Sequence, residues 1–126
     1  MGKSVLEVGC GTGELLFAIE GLFPHGELCG MDVSTANLAT SGLVRFIKAD
    51  ITDFHLDQTF DVVVSNQVLE HIAPEDVPLH LNAVFRVLRD SGTVILCLPN
   101  RFWGPSDVTR IVDNRYCGLT PEQVRI

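Results

Sequence analysis

Five short apolar runs, each continuous rather than alternating with polar residues, constrain the fold of this chain most strongly. A continuous apolar run is typical of a strand buried on both faces, as in a parallel sheet covered by helices. Helical patterns fall between the runs, and a strand–helix alternation with right-handed crossovers predicts a three-layer, doubly wound α/β fold. The predicted strands are Ser4–Val8, Leu28–Val33, Leu43–Lys48, Phe60–Ser65 and Thr93–Leu98.

Three helices are predicted between these strands. The first covers Gly13–Phe23, and a short second helix covers Thr35–Thr40 with Ser34 as its N-cap. The third has its apolar residues at helical spacing and is predicted to end at Gly92, a residue type that commonly follows the last turn. Its apolar stripe is formed by Val77, Leu81, Val84 and Leu88.

A glycine-rich segment joins the first strand to the first helix. Gly9, Gly11 and Gly13 occupy every second position there. Glycine adopts unusual backbone angles at low cost and lets a ligand approach the backbone closely. The N–H groups at the start of the helix face the same place, which favours an anion. In open parallel sheets, ligands bind beyond the carboxyl ends of the strands, so the segment predicts a binding loop.

Acidic residues end the second and third predicted strands. Asp32 is placed to accept hydrogen bonds from ribose hydroxyls, or alternatively to cap the following helix. Asp50 could accept from an exocyclic adenine amine while the Ile51 N–H donates to the ring, or it could simply be a turn aspartate. Three such features at three successive strand ends favour a nucleoside-binding site.

Composition narrows the classes of function. The 126 residues carry a net charge of −7, which disfavours a nucleic-acid partner. The sequence contains no apolar run near the roughly 20 residues that span a bilayer. The four cysteines form no CxxC pair and the four histidines have no ligand spacing, so we expect buried free thiols, no metal site and a cytoplasmic protein.

From residue 4 to about residue 100 the sequence resembles the class I S-adenosylmethionine (SAM)-dependent methyltransferases. The resemblance rests on VLEVGCGTGELL, the acid in CGMDVS, FIKADITDF, FDVVVSNQVLEHI and VFRVLRDSGTVILCLPN, in the order and spacing of that family. It is greatest to the small-molecule branch that includes ubiquinone-biosynthesis methyltransferases. It implies a Rossmann-like sheet of order 3-2-1-4-5 and transfer of a methyl group from SAM to a small molecule, with S-adenosylhomocysteine (SAH) as product.

The resemblance also assigns roles by position. It places the glycine loop against the methionine part of SAM, Glu7 near the loop and the methionine ammonium, Asp32 on the ribose, and Asp50 with Ile51 at the adenine edge. Met31 and Val33 would pack against the adenine ring. The implied cofactor residues are Glu7, Gly9, Cys10, Gly11, Gly13, Asp32, Val33, Asp50, Ile51, Asn66 and Gln67.

The positively charged sulfur of SAM already activates the methyl group, so the protein mainly has to align the acceptor and exclude water. His71 is a candidate base for an acceptor that must lose a proton, or a histidine that merely fixes the local structure. Glu70 is a second candidate base, or alternatively a residue that caps a helix or forms a salt bridge. The alternative function is a SAM- or SAH-binding module without catalysis. A dinucleotide-dependent oxidoreductase is disfavoured by the G-x-G-x-G spacing.

Three departures from the family predict a single truncated domain over residues 1–126. The first strand begins at residue 4, the segment between Asp32 and Asp50 is short, and no residues remain for a sixth and seventh strand. Residues 100–126 are expected to form an acceptor-side loop and the start of a helix. The fifth strand would then be an exposed edge of the sheet. An exposed apolar edge favours association, so we expect a homodimer to form through it.

Overall fold

A computed structural model describes residues 2–22, 26–34 and 43–98. These ranges contain a five-stranded parallel sheet of order β3-β2-β1-β4-β5, which confirms the predicted α/β fold and strand order. The strands are β1 (Ser4–Val8), β2 (Glu27–Asp32), β3 (Val44–Lys48), β4 (Phe60–Asn66) and β5 (Leu88–Cys97). The helices are α1 (Glu14–Ile19) and α2 (Val77–Arg86), with 3-10 turns at Glu20–Leu22, Leu69–His71 and Pro74–Asp76.

Two separate cores cover the two faces of the sheet. Every residue of β1 is buried, as the continuous apolar run predicts for a central strand. Alternate β1 side chains point to opposite faces: Val5 packs in one core with Leu16 of α1, and Leu6 packs in the other with Val84 of α2. The sheet therefore lies between α1 and α2 as the middle of three layers.

The first helix is shorter than predicted. The sequence pattern predicts Gly13–Phe23, whereas α1 covers Glu14–Ile19 and a 3-10 turn follows over Glu20–Leu22. Gly13 has a φ of 85° and therefore lies outside the helix, as its N-cap. Gly21 lies inside the 3-10 turn, where its flexibility and lack of a side chain weaken a regular helix.

The predicted end of the third helix is wrong. α2 ends at Arg86, and Leu88 belongs to β5, where it pairs with Phe60. The buried face of α2 is formed by His80, Ala83 and Val84, so of the predicted stripe only Val84 is fully buried, while Val77 and Leu81 are partly buried.

Gly92 belongs to an irregularity in β5 rather than to a helix end. Between the pairs Phe60–Leu88 and Val62–Thr93, β5 carries more residues than β4, so it bulges. Ser91 has a φ of 63°, and a Cβ at Gly92 would lie 2.8 Å from the Arg89 carbonyl oxygen. Glycine fits this close approach of two backbone segments.

The fifth strand occupies one end of the sheet order. Its side chains are more exposed than those of the inner strands: Ile95 is 44% exposed and Leu96 is 43% exposed. Cys97 is also exposed, which corrects the expectation of a buried thiol, whereas Cys10 and Cys29 are buried as expected.

Several predictions fall outside the described residues. These are the helix at Thr35–Thr40, the end of the first helix at Phe23, the acceptor-side segment at residues 100–126, and Cys117. In the part of the chain that the structure describes, no helix is long and apolar enough to cross a membrane. The same residues contain no group of three or more histidine, cysteine or acidic side chains that could hold a metal ion.

Candidate functional site

The glycine loop turns sharply between β1 and α1. Gly9 has a φ of 71°, a value that favours glycine, and a Cβ at this position would lie 2.7 Å from Cγ2 of Val68. The N–H groups of Gly9 and Cys10 both donate to the carbonyl oxygen of Met31, at 2.7 and 3.0 Å. The loop is thus held against β2 on one side and against the segment after β4 on the other.

Gly11 forms the open side of this loop. Its φ is 55°, and nothing lies within 4 Å of the place that a Cβ would take. Its N–H donates to Oδ2 of Asp32 at 2.9 Å, while Oδ1 of Asp32 accepts from the N–H of Ser34 at 3.3 Å. Asp32 therefore braces the loop and also makes the local contact expected of a cap.

A cavity of about 470 Å³ lies against the loop, within the size range of sites for small ligands. It is lined by Glu7, Gly9, Cys10, Gly11, Thr12, Glu14, Leu15 and Asn66. The predicted cofactor residues Glu7, Gly9, Cys10, Gly11 and Asn66 are thus brought together. The other predicted positions, which are Gly13, Asp32, Val33, Asp50, Ile51 and Gln67, are not part of this lining.

Glu7 is the most unusual group in the cavity wall. The residue is only 4% exposed, and among the described residues its Oε2 atom has no hydrogen-bond partner. Burial, with a contribution from the Asp32 charge, raises the pKa of Glu7 to about 7. A buried carboxylate without a partner is costly, so the site favours a ligand that brings a cation or a donor to this oxygen.

The electrostatics of the loop differ from the sequence expectation. The start of α1 was expected to favour an anion, but Glu14 lies there and lines the cavity with Glu7. Two carboxylates in one wall favour a cation. Burial and the charges of Glu7 and Asp32 raise the pKa of the Cys10 thiol to about 12, so Cys10 stays protonated and is a poor nucleophile.

The third strand ends in a tight turn beside Asp32. The N–H of Ala49 donates to the Asp32 carbonyl oxygen at 3.0 Å, and Oδ1 of Asp50 accepts from the N–H of Thr52 at 2.8 Å. Asp50 is therefore a turn aspartate in this structure, with one carboxylate oxygen engaged. The turn places Asp50 and Ile51 at the same edge of the sheet as Asp32.

The segment after β4 carries the remaining predicted residues. Asn66 reaches the cavity, whereas Gln67 is exposed, has a φ of 57° and donates its N–H to the Cys97 carbonyl oxygen at 2.9 Å. His71 is half-exposed, with Nε2 at 3.9 Å from Oε1 of the buried Glu70. His71 does not line the cavity, and its role as a base stays a prediction.

Two residues expected to flank the adenine ring differ in their surroundings. Met31 is fully buried in the core next to α2, so its side chain belongs to the core rather than to a ligand surface. Val33 is 55% exposed at the end of β2 and remains available to a ligand.

Comparison with known proteins decides the family. Residues 6–96 match the family described as the methyltransferase domain, which is more than half of the chain. The chain belongs to this family. The sequence resemblance to class I methyltransferases is thereby confirmed.

Curated relatives of this methyltransferase domain act on different molecules, according to their names. A trans-aconitate 2-methyltransferase of Deinococcus radiodurans is 33% identical over 75% of this chain and 37% of its own length. A ubiquinone biosynthesis O-methyltransferase of Nitrobacter winogradskyi is 27% identical over 81% of this chain and 41% of its own length. The chain thus spans about two fifths of the length of these relatives.

A solved structure supports the fold of the methyltransferase domain. SAM-bound CalS10, an amino pentose methyltransferase from Micromonospora echinaspora, is 28% identical, with a TM-score of 0.65. The alignment covers 75% of this chain and 42% of CalS10.

Sequence reasoning missed some residues of the site in this methyltransferase domain. Thr12, Glu14 and Leu15 line the cavity but were not singled out. Their position directly after the glycine segment was the available signal for them. His80 was also missed, and its only signal was a histidine within the helical pattern of α2.

Proposed function

We propose that this chain binds SAM and transfers its methyl group to a small-molecule acceptor. The observation that carries the proposal is the buried carboxyl group of Glu7 in the wall of the glycine-loop cavity, whose Oε2 atom has no partner among the described residues. SAM has an ammonium group and a positively charged sulfur, and either charge would offset the cost of the buried carboxylate. Glu14 in the same wall adds to the attraction for a cation.

The residues at the strand ends fit the rest of the cofactor. The open face of Gly11 leaves room for a ligand close to the backbone of Gly9 and Cys10, and Gly13 closes the loop. Asp32 would accept from the ribose hydroxyls and Val33 would lie beside the adenine ring. Asp50 and Ile51 would read the adenine edge, and Asn66 with Gln67 would contact the methionine part.

Bound SAM supplies a methyl group that is already activated for transfer. The contribution of the chain is then to align the acceptor and to exclude water. His71 would serve as the base for an acceptor that must lose a proton, with the Glu70 carboxylate beside it orienting the imidazole. The names of the relatives cover chemically different acceptors, so the proposal extends to small molecules as a class.

Calorimetry tests the cofactor directly. SAM and SAH should bind, whereas NAD should not, and preferential binding of NAD would overturn the proposal. Glu7→Gln should weaken SAM binding because it removes the charge that faces the ligand cation. Glu75→Gln is a matched control, since Glu75 is an exposed carboxylate outside the cavity and its removal should leave binding unchanged.

A second candidate is a domain that binds SAM without turning it over. Five of the eight residues that line the described cavity are positions assigned to the cofactor, and a binding domain needs no acceptor site beside them. Measuring SAH formation with a panel of hydroxyl, amine, thiol and carboxylate acceptors separates the two. Turnover with any acceptor supports the enzyme, and tight SAM binding without turnover supports the binding module.

We further propose that the protein forms a homodimer through β5. The support is the position of β5 at the end of the sheet order, together with the exposed apolar side chains of Ile95 and Leu96. Sedimentation velocity over a range of concentrations should show a dimer that Ile95→Lys dissociates. A monomer at high concentration would contradict this proposal without affecting the proposed cofactor.

The proposed location is the cytoplasm. The buried free thiols of Cys10 and Cys29 support a reducing compartment, where thiols stay unoxidised. Fractionation of cells that express the protein tests the proposal, and a secreted product would contradict it.

A further inference from the structure

His80 lies fully buried on α2, between two strand ends of the candidate site. Its Nδ1 atom is 2.6 Å from the carbonyl oxygen of Ile51, in the turn after β3. Its Nε2 atom is 3.4 Å from Oγ of Ser65, in the last part of β4. One imidazole ring thus touches the turn that carries Asp50 and the strand that ends in Asn66.

The contacts fix the proton on the ring. A carbonyl oxygen can only accept, so Nδ1 must carry the hydrogen and donate it to Ile51. Burial lowers the pKa of His80, which favours the neutral ring. Nε2 then has a lone pair and accepts the longer hydrogen bond from the Ser65 hydroxyl. The His80 ring therefore accepts a hydrogen bond from Ser65 and donates one to the Ile51 carbonyl oxygen. We call these two hydrogen bonds the His80 bridge.

The His80 bridge connects α2 to the turn after β3, which lies at the same edge of the sheet as Asp32. The turn also has the Ala49 N–H bond to the Asp32 carbonyl oxygen, the internal bond from the Thr52 N–H to Asp50, and the packing of the Ile51 side chain against the core. The Asp50 side chain is exposed. A shift of the Ile51 carbonyl would therefore move the Asp50 carboxylate and the Ile51 N–H together.

We infer that His80 is a positioning residue that holds the Asp50–Ile51 turn in place, and thereby sets the preference of the site for adenine over other bases. The inference rests on the proposed function, since it assumes that this turn faces the adenine of SAM. His80 itself would touch no ligand. A buried histidine that only fills the core would stabilise the fold without affecting which base is bound.

Base preference separates these two roles. SAH has an exocyclic amine that can donate to Asp50 and a ring nitrogen that can accept from the Ile51 N–H, whereas S-inosylhomocysteine has a carbonyl oxygen and an N–H at these two positions. Wild-type protein should bind SAH more tightly than the inosine analogue. The ratio of the two dissociation constants, measured by calorimetry, reports the position of the turn independently of overall stability.

Three substitutions change the bridge in different ways. His80→Asn keeps an amide donor near the Nδ1 position, His80→Gln moves the amide toward the Nε2 position, and His80→Leu removes both. We expect His80→Asn to keep most of the base preference, and the other two to reduce it by about tenfold, the scale of one lost hydrogen bond. Leu79→Ala is the control, because Leu79 is a partly exposed neighbour on the same helix.

The outcomes are distinct. Equal base preference in wild type, His80→Gln and His80→Leu would overturn the inference, even if all His80 variants melt at lower temperature. Failure of wild type to bind either ligand would overturn the proposed function and, with it, the inference. If the variants do not fold, nitrogen NMR of the wild-type imidazole decides: a proton on Nδ1 supports the bridge, and a proton on Nε2 alone overturns it.

Discussion

Asp32 accepts a hydrogen bond from the N–H of Gly11 at 2.9 Å, so the carboxylate that ends β2 also holds the loop that follows β1. The sequence left two roles open for Asp32, a ribose acceptor and a helix cap. The structure adds a third role, since the loop position depends on this side chain. β1 and β2 are neighbours in the sheet, so the carboxylate at the end of β2 lies within hydrogen-bond distance of the loop after β1.

Asp32→Ala should weaken SAM binding by about 1–3 kcal/mol, the scale of hydrogen bonds to a charged group. The loss has two sources, because the proposed ribose contact and the observed hydrogen bond to the Gly11 N–H both disappear. Asp32→Asn keeps a neutral acceptor and should lose less. Calorimetry measures both, with the exposed Asp57→Asn as control. An unchanged Kd in Asp32→Ala would remove Asp32 from the site.

Gly9→Ala should destabilise the fold more than Gly11→Ala. Both positions have positive φ, which costs about 1–2 kcal/mol for a residue with a Cβ. Only at Gly9 does the added carbon also meet a neighbour, Cγ2 of Val68 at 2.7 Å. Urea unfolding of each variant measures the difference.

The double variant Gly9→Ala/Val68→Ala provides a check on that explanation. Removing the methyl groups of Val68 makes room for the alanine, so the two changes together should cost less than their sum. Strict additivity would show that contact with Val68 is not the cause.

The contribution of Glu7 to the stability of the ligand-free protein should fall as pH rises from about 4.5 to about 7, whereas His80, whose pKa burial lowers, contributes in the opposite sense below its unfolded pKa of 6.5. Glu7 has a pKa of about 7 in the fold against 4.5 in the unfolded chain, so in this interval the folded state binds more protons. Its contribution is present in full below pH 4.5 and is lost as pH rises through 7, by roughly 3 kcal/mol at most. Denaturant unfolding of wild type and Glu7→Gln at several pH values isolates the Glu7 contribution: the stability of wild type relative to the variant should fall as pH rises through this interval.

Binding of SAM should release a proton near pH 6. A cationic ligand favours the ionised form of Glu7, so the proton that this group holds in the ligand-free state leaves on binding. Affinity should therefore rise with pH up to about 7. Calorimetry in buffers of different ionisation enthalpy counts the protons, and Glu7→Gln should release fewer.

Thiol labelling should distinguish the cysteines of the sheet. Cys97 is exposed and should react in the folded protein, whereas Cys10 and Cys29 are buried, with pKa values raised to about 12 and about 11. Labelling followed by peptide mass spectrometry assigns each site. Fast labelling of Cys10 in folded protein would contradict the packing of the glycine loop.

Much of the fold could be predicted because the inner strands are buried on both faces. The bounds of β1 were predicted as the structure has them, and those of β2, β3 and β4 were predicted to within one residue at each end. A continuous apolar run leaves little freedom about where such a strand begins and ends. The sequence also predicted the glycine loop after β1, the acid that ends β2 and the acid that follows β3. The position of each follows directly from where a predicted strand ends.

The misplaced features depend on contacts between distant segments. Leu88 continues the helical spacing of α2, yet it pairs with Phe60, and only the sheet register decides between the two. The sequence predicted that the helix ends at Gly92. The bulge at Arg89–Gly92 forms only when β5 pairs with β4, so no local pattern indicates it. The link from His80 to Ile51 spans 29 positions, and no local pattern indicates it.

The buried acid at position 7 makes the ligand-free fold less stable near neutral pH than a neutral side chain of the same size would. A neutral glutamine in its place would remove the electrostatic cost that the fold carries near neutral pH. The Glu7→Gln variant should melt at higher temperature and bind a cation more weakly. Screens that reward heat resistance alone would therefore select against the carboxylate that we propose for cation binding.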